Sequence, residues 1–203
     1  MDILIETKLH DPKGSGKTEF LSRFINWYIL NFVRCNGLTD LMIGVTAFTN
    51  ASILNLLKRI EDIQKQYGLE DLFSIIFATY DTKEDSESAI KYVKWRESLT
   101  VVNKLKKESG IRVFVIGATV YSWNNIKDNW KSFKGCRMML IDEGSQLLVS
   151  DALLAIKCLS FPRCRLIVAG DHMVRCISFF FSYRHSHASF SNWVQFWQTT
   201  ILN

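Results

Sequence analysis

The 203-residue sequence predicts an α/β domain with a mostly parallel sheet flanked by helices. Three observations predict it. Short apolar runs alternate along the chain with longer segments of helical periodicity, as in folds that wind helices around a parallel sheet. A glycine-rich loop leads into a helix near the amino terminus, and one apolar run stops at an acidic pair. A hydrophobic content of 48% over this length is enough to bury the core of a single domain.

Ile3–Ile5, extending towards Leu9, reads as the first strand. The glycine-rich loop follows, and a helix is expected from about Gly16 to Val33. Phe20, Leu21, Phe24, Ile25, Trp27, Tyr28, Leu30 and Phe32 fall on nearly all sides of it, which suits a helix packed between the sheet and its neighbours. Its aromatics therefore read as core rather than as a ligand box. Leu41–Ala47, Leu72–Thr79, Ile111–Thr119, Met138–Ile141 and Arg165–Ala169 read as buried parallel strands. Helical patterns cover Ala51–Tyr67, Lys83–Ser109 and Ser150–Cys158.

Two segments differ in texture. Residues 81–109 mix Lys and Glu densely, with Trp95, Leu99, Val102 and Leu105 at helical spacing. They predict an exposed helical excursion, and the mixed signs favour a solvated amphipathic face over a nucleic-acid patch. From Val174 onward only Arg175 and Arg184 are charged, among Phe, Ser, His and Trp. The expected organisation is thus one domain over 1–173 and a divergent tail over 174–203, whose aromatics must pack on the domain to avoid association.

Composition narrows the function classes. The net charge of +5 comes from Lys and Arg spread between Lys8 and Arg184, so nucleic-acid binding is permitted without being demanded. Cys35, Cys136, Cys158, Cys164 and Cys176 are odd in number and show no C-x-x-C spacing, which suits reduced thiols. Cys176 with His185 and His187 is too loosely spaced for a zinc site. The start of the chain lacks the basic and apolar regions of a secretory signal. Phe20–Val33, the most apolar stretch, is interrupted by Arg23, Asn26 and Asn31 and is too short to span a bilayer. An intracellular protein of the nucleus or cytoplasm, with no membrane partner, is expected.

The chemistry lies in two motifs. Lys13-Gly14-Ser15-Gly16-Lys17-Thr18 can curl backbone N–H groups round phosphate oxygens, with Lys17 neutralising their charge and Thr18 holding Mg²⁺. Asp142 and Glu143, at the end of an apolar run, supply a carboxylate for the metal and a second acid to polarise a water. Together they point to a P-loop NTPase that uses ATP and Mg²⁺. Asp11 departs from the pattern, standing where glycine is expected and bringing negative charge towards the phosphates. The plainer reading of the loop is a Gly/Ser-rich turn before a helix.

In order along the chain, these motifs resemble the first RecA-like domain of a superfamily 1 helicase of the Upf-like branch, over roughly residues 11–173. Val45-Thr46-Ala47-Phe48-Thr49-Asn50-Ala51 is similar to the family's motif Ia, and Val115-Ile116-Gly117-Ala118-Thr119 to a strand and turn on the same strand-binding face. The resemblance implies that Thr46, Thr49, Asn50 and Thr119 touch the backbone of single-stranded RNA or DNA, as short polar side chains that position without reading sequence. These residues also suit ordinary turns and helix caps. Asp142-Glu143-Gly144-Ser145-Gln146 resembles motif II, and Leu166 to His172 motif III. From these, Gln146, Gly170 and Asp171 are expected near the nucleotide, with Gln146 relaying its state.

Two departures qualify the resemblance. Val174 stands where the family places a Gln that senses the γ-phosphate, and a second RecA-like domain with its arginine finger has no room in the chain. Such a finger contributes about 10³–10⁵ in rate, so a lone first domain should turn over slowly. The alternatives are a catalytically inactive nucleotide- or strand-binding fragment, and another P-loop enzyme such as a small kinase. Because Val174-Arg175 can be encoded by GTAAGA or GTAAGG, the kind of sequence that opens an intron, we hypothesise that the tail is retained intron read as protein. Sequencing the transcript across that codon tests this. A spliced message continuing from Met173 into Gln and a second motor domain is the expected result, and a fully supported message through the tail excludes it.

Overall fold

A computed structural model describes residues 6–7, 16–80, 88–129, 133–160, 163–170 and 173–180, with backbone alone at 6–7, 129, 163 and 173–180. The strands are β1 (Glu6–Thr7), β2 (Leu41–Thr46), β3 (Phe73–Thr79), β4 (Lys91–Lys94), β5 (Val113–Ala118), β6 (Met138–Ile141), β7 (Arg163–Gly170) and β8 (Met173–Phe180). The helices are α1 (Lys17–Asn36), α2 (Asn50–Gln66), α3 (Ser98–Glu108), α4 (Val120–Asn129) and α5 (Val149–Ile156). They form one sheet in the order β1-β8-β7-β6-β2-β5-β3-β4, in which the six strands from β7 to β4 are parallel.

Helices cover both faces. Leu21, Ile25 and Ile29 of α1 and Ile53, Leu56, Leu57 and Ile60 of α2 bury one face together with Ile43, Val45, Val115 and Leu140. Val102 of α3, Trp123 and Ile126 of α4, and Ala152 and Ala155 of α5 bury the other against Ile76, Ile116, Met139 and Ile141. Connections that move in opposite directions across the sheet carry their helices on opposite faces, as right-handed crossovers require. Gly117 lets α2 come close, because a Cβ there would lie 2.6 Å from Leu57 Cδ1.

The predicted strands from Leu41 to Ala169 are present, and α1 runs one turn past its expected end. It stops at Gly37, whose φ of 67° suits glycine and whose N–H donates to the Val33 carbonyl. Two of its aromatics are not core: Phe20 is 43% and Trp27 59% exposed, because the sheet can bury only one stripe of the helix. Tyr28 is buried, under the Arg165 guanidinium.

The excursion is not a single exposed helix. Residues 81–87 lie outside the described residues, and β4 then adds a parallel strand beside β3, followed by a 3₁₀ turn at Trp95–Glu97 and α3. Ile90, Val93, Trp95 and Val102 are buried, so the charge of this segment hides a core contribution. Lys91 and Lys94 stay exposed on the edge strand, where charge discourages pairing with another chain. Helix α4 was not anticipated, although Val120, Trp123 and Ile126 sit at a three-residue spacing behind the N-cap Thr119.

Segments near the two ends of the chain meet in the sheet. Ile3–Ile5 and Leu9 lie outside the described residues, and β1 pairs antiparallel with β8 through Glu6↔Arg175 and Thr7↔Val174. The tail contributes β8 itself, antiparallel to β7 along Arg163↔Phe180 to Gly170↔Met173. Among the described residues, Cys35, Cys136, Cys158 and Cys164 are free thiols, and burial pushes the Cys158 thiol up to about 12 and Cys164 to about 11. No described helix is long and apolar enough to cross a membrane.

Glu61 fastens β4's approach to α2. Its carboxylate, 4% exposed, accepts from the Ala89 N–H at 2.6 Å and from Ser88 Oγ at 2.8 Å, and pairs with Lys65 Nζ at 2.7 Å. Burial raises its pKa, but the Lys65, Ala89 and Ser88 contacts together outweigh it and leave the pKa lowered. A depressed carboxyl contributes stability that is present above its unfolded pKa and lost as pH falls through the folded one. Glu61→Gln should therefore cost about 2 kcal/mol at pH 7. In urea melts, the gap between variant and wild type should narrow on acidification below about pH 4, the ordinary Glu range.

Candidate functional site

The carboxyl ends of the parallel strands share one edge of the sheet. At that edge β2 and β6 lie side by side, yet β2 leads into α2 on one face and β6 leads towards α5 on the other. Divergence of this kind opens a crevice, the usual ligand position in open α/β sheets. The pairing continues past the strand ends, where the Asp142 N–H donates to the Thr46 carbonyl at 2.8 Å.

Asp142 is 7% exposed, and its Oδ1 accepts from the Glu143 N–H at 2.9 Å. Glu143 has φ 52° and ψ 36°, the one non-glycine at positive φ among the described residues. This left-handed conformation costs on the order of 1–3 kcal/mol, and strain of this size collects at functional sites. It turns the chain so that the Glu143 side chain reaches α2, where Oε2 accepts from Ser52 Oγ at 2.7 Å. Sequence reasoning did not single out Ser52. The Thr-x-x-Ser spacing marks a helix start, but nothing in it reveals a bond to a residue 91 positions away.

The 3₁₀ turn Gly144–Gln146 packs on the end of β7. A Cβ at Gly144 would lie 2.6 Å from Val168 Cγ1, and one at Gly170 would lie 3.1 Å from the Ser145 nitrogen. The two acidic-motif and Gly-Asp segments therefore meet, with Gln146 and Gly170 at the same edge. Asp171 lies outside the described residues.

Helix α1 opens at Gly16, whose φ of 76° favours glycine and whose place as N-cap brings no side-chain hydrogen bond. First-turn amides left without a side-chain cap are suited to an anion. Lys17 and Thr18, both partly buried, begin the helix. Gly14, Ser15 and Asp11 lie outside the described residues. Glu19, also in the first turn, is bonded by Arg59 of α2 and by Arg23. Those bonds, Arg59 first and Arg23 next, lower its pKa and offset a negative charge beside the candidate phosphate position.

The four candidate strand-contact residues divide. Thr49 is exposed and caps α2, accepting from the Ser52 N–H at 3.0 Å; Asn50, the first helical residue, is exposed. Thr119 is partly buried and caps α4, accepting from the Ser122 N–H at 3.2 Å. Thr46 corrects the expectation: it is fully buried, with Oγ1 lacking a hydrogen-bond partner, so its side chain is out of a strand's reach.

The oxygens that the sequence assigns to a metal are the Thr18 hydroxyl and the Asp142 carboxylate. That set fits Mg²⁺, which keeps several waters and combines one or two protein oxygens with phosphate oxygens instead of a full protein cage. Among the described residues there is no group of three or more His, Cys, Asp or Glu that could hold a metal ion by themselves.

No family model and no curated protein matches the sequence. Solved structures do resemble it. One is a nuclease-deletion mutant of the Type ISP restriction-modification enzyme LlaGI in complex with a DNA substrate mimic. It overlays at a TM-score of 0.55 and 12% identity, covering 84% of this chain and 16% of that one. Another is the UvsW helicase from bacteriophage T4, at a TM-score of 0.46 and 15% identity, covering 81% of this chain and 46% of that one. The chain thus spans less than half the length of either. The likeness to the first establishes the fold, a RecA-like α/β domain with a parallel sheet between two helical layers.

The contact between Gly144 and β7 is testable by a double-mutant cycle. Gly144→Ala should lower stability by roughly 1–3 kcal/mol through overpacking. Adding Val168→Ala removes the methyl it strikes, so in denaturant melts the double variant should lose less than the sum of the two single losses.

Proposed function

We propose that this chain is the ATP-binding and ATP-hydrolysing domain of a superfamily 1 nucleic-acid helicase, coupling turnover to movement on single-stranded RNA or DNA. The observation that carries it is the acidic pair at the β2–β6 crevice, with Glu143 held in a left-handed conformation beside the start of α2. In this reading the loop through Gly14, Ser15 and Gly16 cradles the phosphates and Lys17 neutralises them. Thr18 and Asp142 hold Mg²⁺, which supplies charge neutralisation at the phosphate oxygens. Glu143 orients the attacking water. Gln146, Gly170 and Asp171 contact the nucleotide, and Thr49, Asn50 and Thr119 touch the strand. An intracellular setting, nuclear or cytoplasmic, is proposed on the free thiols.

Movement requires a second motor domain to close on the first. The chain by itself should accordingly bind ATP and hydrolyse it slowly, for want of an arginine finger. A nucleotide- or strand-binding fragment without turnover is the second reading, favoured by Val174, which pairs with Ala169 and Thr7 in the sheet where the resemblance expects a γ-phosphate sensor.

The test is ATP hydrolysis by the purified chain with and without single-stranded RNA and DNA. Lys17→Ala should abolish ATP binding and leave the circular dichroism spectrum unchanged; unaltered nucleotide affinity in that variant would refute the phosphate-loop assignment. Glu143→Gln should retain ATP and lose turnover by roughly a hundredfold or more. ATP binding with no hydrolysis above the Lys17→Ala blank selects the second reading.

A further inference from the structure

We infer that Ser52 is a positioning residue that tethers the Glu143 carboxylate to the amino end of α2, and that a single strand arriving at Thr49 and Asn50 releases it. The inference rests on the helicase reading and adds to it a regulation of its proposed water-orienting residue.

A serine hydroxyl has one hydrogen. Ser52 Oγ uses it on Glu143 Oε2 at 2.7 Å, so the 2.8 Å contact between Ser52 Oγ and Thr49 Oγ1 must be a bond donated by Thr49. Thr49 Oγ1 in turn accepts the Ser52 N–H at 3.0 Å. The relay thus runs from the Thr49 hydroxyl through Ser52 to the carboxylate, and its outer end is exposed beside Asn50.

A carboxylate tied in this way points at α2 and offers one oxygen fewer to a water at the nucleotide. Thr49 and Ser52 are also the donors that a backbone phosphate would choose, at a helix start whose dipole favours negative charge. Phosphate and carboxylate compete for the same hydroxyls and repel each other, so strand binding displaces Glu143 towards the crevice. Strand and nucleotide are then coupled through one serine, with no movement of the sheet.

The test compares wild type, Ser52→Ala and Ser52→Thr in the full chain, probed with oligothymidylate and oligouridylate. Ser52→Ala should raise strand-free turnover by roughly tenfold, about the value of a hydrogen bond to a charged group. The stimulation by strand should fall towards unity with KM for ATP unchanged, and Ser52→Thr should restore it. Glutamate labelled at the carboxyl carbon, assigned with Glu143→Gln, gives a readout that needs no turnover. The Glu143 signal should move when oligonucleotide binds wild type, and in Ser52→Ala it should already stand at the strand-bound position. An oligonucleotide that stimulates wild type and Ser52→Ala by the same factor, or a Glu143 signal unmoved by the substitution, overturns the tether while leaving the helicase reading intact. Absence of oligonucleotide binding by fluorescence anisotropy overturns the strand-dependent release and removes the helicase reading with it.

Discussion

The site depends on the parallel pairing of β2 with β6. Four register pairs, Ile43↔Met138 to Thr46↔Ile141, bring two strand ends together that are nearly a hundred residues apart in the chain. The bond from the Asp142 N–H to the Thr46 carbonyl extends the ladder one step further and fixes where the acidic pair begins. A slip of one residue would send Asp142 to the opposite face of the sheet, because side chains alternate along a strand. Both the carboxylate and the strained residue after it would then be lost from the crevice.

Close packing around this pairing explains several residue choices that look incidental. Gly117 on one face admits Leu57 and Ile53 of α2, while Gly44 on the other admits Met139 and Trp123. Trp123 also donates its Nε1–H to the Val45 carbonyl at 3.2 Å, tying α4 to the central strand. Helices α2 and α4 are thus seated by glycines in the strands beneath them. At the crevice itself the strain at Glu143, on the order of 1–3 kcal/mol, is comparable to the about 1.5–3 kcal/mol of a hydrogen bond to a charged group.

Much of the strand pattern was legible because buried parallel strands are continuous apolar runs bounded by polar turns. The charged stretch from Lys91 to Glu108 hides its core contribution for a related reason: Val93, Trp95 and Val102 are the buried hydrophobics there, with Leu99, Val101 and Leu105 partly covered, and edge position keeps their neighbours polar. Helix α4 is hard to see in the sequence because Asn124, Asn125 and Asp128 dilute a narrow buried stripe of Val120, Trp123 and Ile126. Thr46 is expected to touch a strand from the resemblance of residues 45–51 to motif Ia. The structure buries it because β2 is flanked by strands on both sides and covered on both faces.

By itself the sequence determined the alternation of strand and helix, the glycine at the start of α1 and the acidic pair at the end of β6, since each follows from local apolar period or local backbone need. Only the tertiary structure decided strand order, the antiparallel placement of β1 and β8, and the meeting of Glu143 with Ser52. Those are contacts between distant segments, selected by the packing of helices on both faces of the sheet, and no local pattern encodes them.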